Sequence, residues 1–332
     1  MPIALLLGMA GCALGLHGLV ECDKHGSEQR EAVVEHSEMP AQRQGGPVSI
    51  EIHTQTGHIV MPVWIEGNGP HWFVLDTGNQ NTTFYAHLGE KLGLDMQPLG
   101  EMGGAGSGSI TVQMASDVRV GLGEDGEELG FVDRQVTILP DAAKLPAFGD
   151  KEIAGFLGAT TIEQFVTCID YAEDELMFTP HDQYELPTDA QTMELKLAFG
   201  FPYFEGTVVP RLFGKSIDAI VGNFLLDLGD SMGVGIEYAQ ADAAGLLDSD
   251  DSEQRVIGSG QGIDGVRFEL KASPAESIVM GGMSMDDHEI HFATTPGGGP
   301  PIPNLVGTVG SGSFSGQVVT LDYQGGRLIL TN

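Results

Sequence analysis

Basic residues are scarce. Lysine and arginine total 15 against 47 aspartates and glutamates in 332 residues, a formal charge of −32 at pH 7. Such a chain repels phosphate backbones and anionic surfaces alike, which excludes nucleic acid as a partner. Cysteine is scarcer still, at three. Cys22 sits in a polar stretch and Cys168 in an apolar strand, and their spacing suggests neither a disulfide framework nor a metal site. Cys168 reads as a small core residue. Long apolar patterns of period 3.6 are few, so helices should be few and short. The run from Ile3 to Leu16, IALLLGMAGCALGL, is too short to span a bilayer comfortably but has the length of a secretory signal core.

What the chain does contain is glycine, 48 residues of it, with turn-forming dipeptides at short intervals, and 41% hydrophobic residues, enough for a sizeable core. The expectation is an all-β protein of two domains. Met9-Ala10-Gly11-Cys12 resembles the bacterial lipobox, which implies export and lipidation of Cys12, with the mature chain periplasmic or extracellular. Residues 1–20 are read as this signal and lipoprotein segment, and 21–48, rich in Glu, Gln, His, Ser and Pro, as a polar tether or a pro-segment. Folding should begin near Ser49. Ile50 and Ile52 alternate, then Val60, Val63 and Ile65, with Gly57 and the cluster Gly67-Asn68-Gly69-Pro70 as turn signals.

An internal repeat sets the architecture. Gly155 to Tyr171, GFLGATTIEQFVTCIDY, aligns without a gap on Gly307 to Tyr323, GTVGSGSFSGQVVTLDY, at an offset of 152 (307 − 155). FVLDTG, ending at Gly78, and FLLDLG, ending at Gly229, keep an offset of 151 (229 − 78). Upstream, Met61-Pro62-Val63 is matched with Val209-Pro210-Arg211, and Ile50/Ile52 with Leu195/Leu197. Two tandem lobes result, 49–180 and 194–332, joined by a linker at 181–193.

Both lobes resemble those of the aspartic peptidase clan, the retropepsin and pepsin superfamily, in its bacterial single-chain form. The residues that carry the resemblance are Val74-Leu75-Asp76-Thr77-Gly78 followed by Phe156-Leu157-Gly158, and Leu225-Leu226-Asp227-Leu228-Gly229 followed by Thr308-Val309-Gly310. The resemblance implies pseudo-twofold symmetry, a cleft between the lobes and catalysis by Asp76 and Asp227. It places Thr77, Gly78, Leu228, Gly229, Leu157, Gly158, Val309 and Gly310 as supports of the two loops. It also implies a peptide or protein substrate, a monomer, and no cofactor or metal. Gly100 to Gly108 then reads as a flap hairpin, with Gly103, Gly104 and Gly106 as its candidates, and Gly258 to Gly265 as its counterpart or an ordinary turn. A phosphate-cradling reading of the first stretch fails because no helix pattern and no Lys follow it.

The chemistry accounts for the pairing. Two carboxylates about 3 Å apart cannot both ionise cheaply, so they share a proton, one acting as acid and the other as base on a water between them. Gly after Asp-x lets backbone approach the carboxylate and permits unusual dihedrals. One further cluster, Asp286-Asp287-His288-Glu289-Ile290-His291, has His at a metal-like spacing, yet its alternation reads as a strand with solvated edge residues.

Two departures from the clan's pattern matter. Leu228 stands where the clan has a hydroxyl residue that bonds across to the opposite loop, and Asp230 puts a third carboxylate next to the motif where Asn79 stands in the first. Like charge there raises the dyad's pKa. The expected function is therefore an exported aspartic endopeptidase, the alternative a pseudo-peptidase that binds peptides or a protein partner in the same cleft without cutting.

Overall fold

The computed structural model describes residues 46–331 except 105–107, 189, 213–216, 248–252, 263–264 and 286–287. The signal segment with Cys12, residues 21–45 of the tether, flap candidate Gly106 and Asp286-Asp287 lie outside the described residues. In chain order the first strands are β1 (Val48–Glu51), β2 (Val60–Ile65), β3 (Asn68–Leu75), β4 (Thr83–Tyr85), β5 (Gln97–Gly103), β6 (Ser109–Leu122), β7 (Leu129–Leu139), β8 (Ile153–Leu157), β9 (Val166–Asp170) and β10 (Glu175–Thr179). Then come β11 (Gln191–Glu194), β12 (Lys196–Ala198), β13 (Phe201–Pro210), β14 (Ile220–Asp227), β15 (Val234–Ile236), β16 (Arg255–Gln261), β17 (Arg267–Met280), β18 (Met283–Ser284), β19 (Glu289–Ala293), β20 (Leu305–Gly310), β21 (Val318–Asp322) and β22 (Arg327–Thr331). The α-helices α1 (Ala86–Leu92), α2 (Ala159–Ile162) and α3 (Tyr238–Ala243) are short, and no helix among the described residues is long and apolar enough to cross a membrane. The chain is mostly β.

Each lobe has its own sheet. In the first the order is β2-β3-β8-β4-β7-β6-β5; in the second it is β12-β13-β14-β20-β15-β19-β17-β16, with β18 paired to β17. The third sheet draws on both lobes in the order β1-β10-β9-β21-β22-β11. At its centre Cys168 lies opposite Thr320, flanked by Ile169 opposite Val319 and Thr167 opposite Leu321. Cys168 and Thr320 are equivalent in the repeat (320 − 168 = 152). A residue that pairs with its own equivalent marks a local twofold axis, so the duplication in sequence is a rotation in space. Cys168, expected in the core, is only partly buried at this axis.

Pairing corrects the register upstream of the Asp loops. Ile50 lies opposite Leu176 and Met193 opposite Leu328, so the equivalent of Ile50 is Met193 (193 − 50 = 143). Ile52 N donates to Asp174 O and Leu195 N to Gly326 O, each at 2.9 Å, which pairs Ile52 with Leu195. Pro62 lies opposite Trp72 and Glu205 opposite Asn223, so Pro62 matches Glu205 (205 − 62 = 143), not Pro210. The offset grows from 143 to 151 between these strands and the loops chiefly because two residues, Glu66 and Gly67, join β2 to β3, whereas nine, 211–219, lie between β13 and β14; a bulge between Val63 and Ile65 shifts the register there as well. The turn expected at residues 67–70 is shorter than its sequence suggested: Asn68, Gly69 and Pro70 already belong to β3. Likewise Val48, assigned above to the tether, starts β1, and Gln191 to Met193, assigned to the linker, lie in β11.

Burial explains the apolar runs. β1 alternates, with Val48 and Ile50 inside and Ser49 and Glu51 outside. β3 instead runs from exposed Asn68 to Phe73, Val74 and Leu75, all fully buried, and Phe224 to Asp227 at the end of β14 are buried as well. Strand ends enclosed on both faces read as unbroken apolar runs. One core cluster extends from Val48 to Leu328 and takes residues from all three sheets. Separate clusters lie in the first lobe (Val60, Val74, Tyr85, Phe156) and the second (Phe201, Leu225, Ile302).

Candidate active site

β3 and β14 each run parallel to a partner strand and lead to an Asp, Asp76 just beyond β3 and Asp227 at the end of β14. Leu75 lies opposite Leu157 on β8, and Asp227 opposite Gly310 on β20. Asp76 N donates to Leu157 O at 2.9 Å. The chain then turns tightly: Asn79 N donates to Asp76 O at 3.2 Å and Asp230 N to Asp227 O at 3.1 Å. Within each turn the carboxylate takes the amide two residues on, Gly78 N to Asp76 Oδ1 at 2.9 Å and Gly229 N to Asp227 Oδ1 at 3.1 Å. Gly158 and Gly310 are there for close backbone contact. A Cβ on Gly158 would stand 2.5 Å from Asn79 O, and one on Gly310 2.3 Å from Met232 O.

The two loops meet. A Cβ on Gly78 would fall 2.6 Å from Asp227 Oδ1, and one on Gly229 2.3 Å from Asp76 Oδ1, so each carboxylate is seated against the other loop's glycine. Neither glycine has a positive φ, so close approach, not unusual dihedrals, is what requires Gly. Both carboxyls are buried, and Asp76 Oδ2 and Asp227 Oδ2 have no hydrogen-bond partner. Two carboxyls buried this close to one another cannot both ionise cheaply. Burial first, with Asp230's charge adding to it against the Gly78 amide, pushes Asp76 up to about 7. Burial, then the charges of Asp76 and Asp230, raises Asp227 well above the usual carboxylate range.

Thr77 makes the cross-lobe bonds its type suggested. Its Oγ1 donates to Leu226 O at 2.6 Å and accepts from Leu228 N at 2.8 Å. Leu228 returns neither bond; its side chain is fully buried in the main core. Val309, like Leu157, is fully buried beside its loop. Gly103 ends β5 and Gly104 follows it, where β5 pairs with β6, and Gly258 and Gly260 of the second Gly-rich stretch lie in β16, paired with β17.

Several residues at the site escaped the sequence reading. His291, expected at a solvated edge, is 6% exposed, with Nε2 3.5 Å from Asp230 Oδ2; its partner lies far away in sequence, which no spacing shows. His58, just ahead of β2, is buried, stacks on Phe148 with ring centroids 4.6 Å apart, and is lowered to about 4 by burial. Thr160 Oγ1 donates to Asp133 Oδ2 at 2.8 Å and accepts from Thr82 N at 3.1 Å, bracing the chain after the first loop. A buried polar side chain is invisible in sequence until its partner is known. Among the described residues no group of three or more His, Cys, Asp or Glu could hold a metal ion.

No family model matches the chain, and no curated protein does. Solved structures do resemble it in architecture. An aspartic proteinase from Irpex lacteus is 11% identical with a TM-score of 0.47, the likeness covering 86% of this chain and 97% of that one. Conglutin gamma, a basic 7S globulin from lupine seeds, is 10% identical with a TM-score of 0.48, over 87% and 95%. Basic 7S globulin from soybean is 9% identical with a TM-score of 0.44, over 86% and 94%.

Proposed function

We propose that the chain is an exported aspartic endopeptidase with Asp76 and Asp227 as its dyad and two lobes closing on an extended peptide. The observation that carries this reading is the seating of each buried carboxyl against the other loop's glycine. The ionised member removes a proton from water; the protonated member donates to the scissile carbonyl oxygen, giving a tetrahedral diol. Collapse of the diol breaks the C–N bond as the amine takes a proton from the dyad. The β5–β6 hairpin, with Gly103 and Gly104, supplies the flap. Export, with lipidation at Cys12, rests on the sequence of residues 1–20, and the partner is a peptide or protein taken up by a monomer.

Both carboxyls are raised, so the first proton leaves near neutral pH. Turnover of a casein-like mixture should rise on going from acid to neutral pH and vanish in Asp76→Asn and Asp227→Asn. Maximal wild-type activity at strongly acid pH would contradict the electrostatics, and activity surviving either substitution would contradict the mechanism. Leu228 favours a second reading, a cleft that binds peptides without cutting. It predicts peptide binding with no turnover, unrestored by Leu228→Thr.

A further inference from the structure

Asn79 and Asp230 hold the same place after each Asp-x-Gly, yet their surroundings differ as a set. In the first lobe Asn79 Nδ2 donates to Thr83 Oγ1 at 2.9 Å, and Thr83 lies opposite Thr137 on β7. Thr83 also faces Phe156 on β8, as Gly235 faces Thr308 on β20, at matching places in the repeat (308 − 156 = 152). Gly235 in turn lies opposite His291 on β19. Asn79, Thr83 and Thr137 in one lobe therefore correspond to Asp230, Gly235 and His291 in the other. A neutral amide and hydroxyl have become a carboxylate and an imidazole, and the residue between them has lost its side chain. That loss admits the ring: a Cβ on Gly235 would stand 2.8 Å from His291 Nε2. With the space open, Nε2 reaches to 3.5 Å from Asp230 Oδ2, both side chains being buried. Asp230 Oδ1 takes the Met232 amide at 2.9 Å, and Asp230 O takes Ser311 N at 2.8 Å and Ser311 Oγ at 2.9 Å. A buried carboxylate is costly without a counter-charge and hydrogen bonds. Met232 N supplies a hydrogen bond, and the change to Gly235 lets the His291 imidazole stand beside the carboxylate.

We infer that His291 is a positioning residue acting through Asp230, and that the pair sets the pH at which the Asp76–Asp227 dyad releases its first proton. Its role in turnover rests on the peptidase reading; its electrostatics do not. Among the described residues, the titratable groups that bear on Asp230 are Asp76 and Asp227 from the loops, His58 from the segment before β2 and His291 from β19. Burial lowers His58 to about 4, and His291 is the group whose ring nitrogen stands 3.5 Å from Asp230 Oδ2. Asp230's charge makes the dyad harder to ionise; His291, when protonated, offsets part of that.

The test is NMR titration of the full chain carrying ¹³C-carboxyl aspartate, with the dyad assigned from Asp76→Asn and Asp227→Asn, beside a pH–rate profile. Asp230→Asn should lower the dyad's first titration by about one pH unit. His291→Gln should raise it, because Asp230 loses its counter-ion, and should move it far less when Asp230 is already Asn. Asp230→Asn/His291→Thr, which restores the neutral residues of the first lobe, guards against a folding defect and should titrate like Asp230→Asn. A dyad unmoved by Asp230→Asn, an unmoved or lowered titration in His291→Gln, or the same His291→Gln shift in both backgrounds overturns the inference. Absence of hydrolysis in the wild type defeats the peptidase reading alone, since the carboxyl titration is read without turnover.

Discussion

Asp76 is held in its folded place at a cost that depends on pH. Its pKa, raised from 3.8 to about 7, means that between those values the folded chain keeps a proton that the unfolded chain has lost. Stability therefore falls as pH rises through that window. Asp76→Asn removes the charge while keeping the shape, so the variant should be more stable than the wild type by at least about 1 kcal/mol at pH 8. The gap should close by pH 4. Urea unfolding of both proteins at the two pH values checks this, and a wild type equal or superior at pH 8 counts against a strained dyad. His58 contributes with the opposite sign, since its pKa is lowered from 6.5 to about 4 and stability is lost as pH falls through that range, but it cancels between the two proteins. At this scale the Asp-x-Gly motifs, Thr77 and the proximity of Asp230 were legible, because each follows from residue type at a known place. His58, Asp133 and His291 were not, because each is defined by a partner distant in sequence.

Among the elements, the β12–β13 hairpin carries the clearest local conflict. Ala198 pairs with Phe201, leaving Phe199 and Gly200 as a two-residue turn with φ of 53° and 86°. Left-handed backbone suits Gly and Asn and is unfavourable for a bulky residue. Phe199 is also 68% exposed, so little burial offsets the strain. The turn abuts the first lobe, since a Cβ on Gly200 would lie 3.2 Å from the Ala159 side chain. Phe199→Asn should stabilise the fold by about 1 kcal/mol. The expected signature is a higher denaturant midpoint at unchanged slope, and a lower midpoint would show that Phe199 has a packing role. The slips in strand register have a physical cause too. Matching Ile50/Ile52 with Leu195/Leu197 is an error of two residues, so the alternation of residue types survives it, although Leu197 is exposed where Ile52 is buried. The pairing partners and the exposure of Leu197 reveal it.

For the whole molecule the net charge of −32 makes compactness electrostatically unfavourable. The ion pairs do little to offset it, since Arg134–Asp117 and Arg255–Glu289 are largely solvent-exposed. Raising NaCl from about 0.01 M to about 1 M shortens the Debye length from roughly 30 Å to roughly 3 Å. The melting temperature should rise across that range, as calorimetry would show. A fall would mean that attractive pairs, not self-repulsion, dominate the long-range field.

The sequence by itself determined the fold class, the duplication and the two Asp loops, because glycine content, alternating apolar residues and a gapless repeat are properties of the chain read in order. Tertiary structure decided what lies between distant segments. It shows that the lobes share a six-stranded sheet about Cys168 and Thr320, and that each glycine makes room for the opposite carboxyl. It also shows Leu228 taken into the core and the pairing of Asp230 with His291 across β15. Such contacts depend on the packing of strands far apart in sequence, and that packing is set by the burial of the whole chain, not by any local pattern.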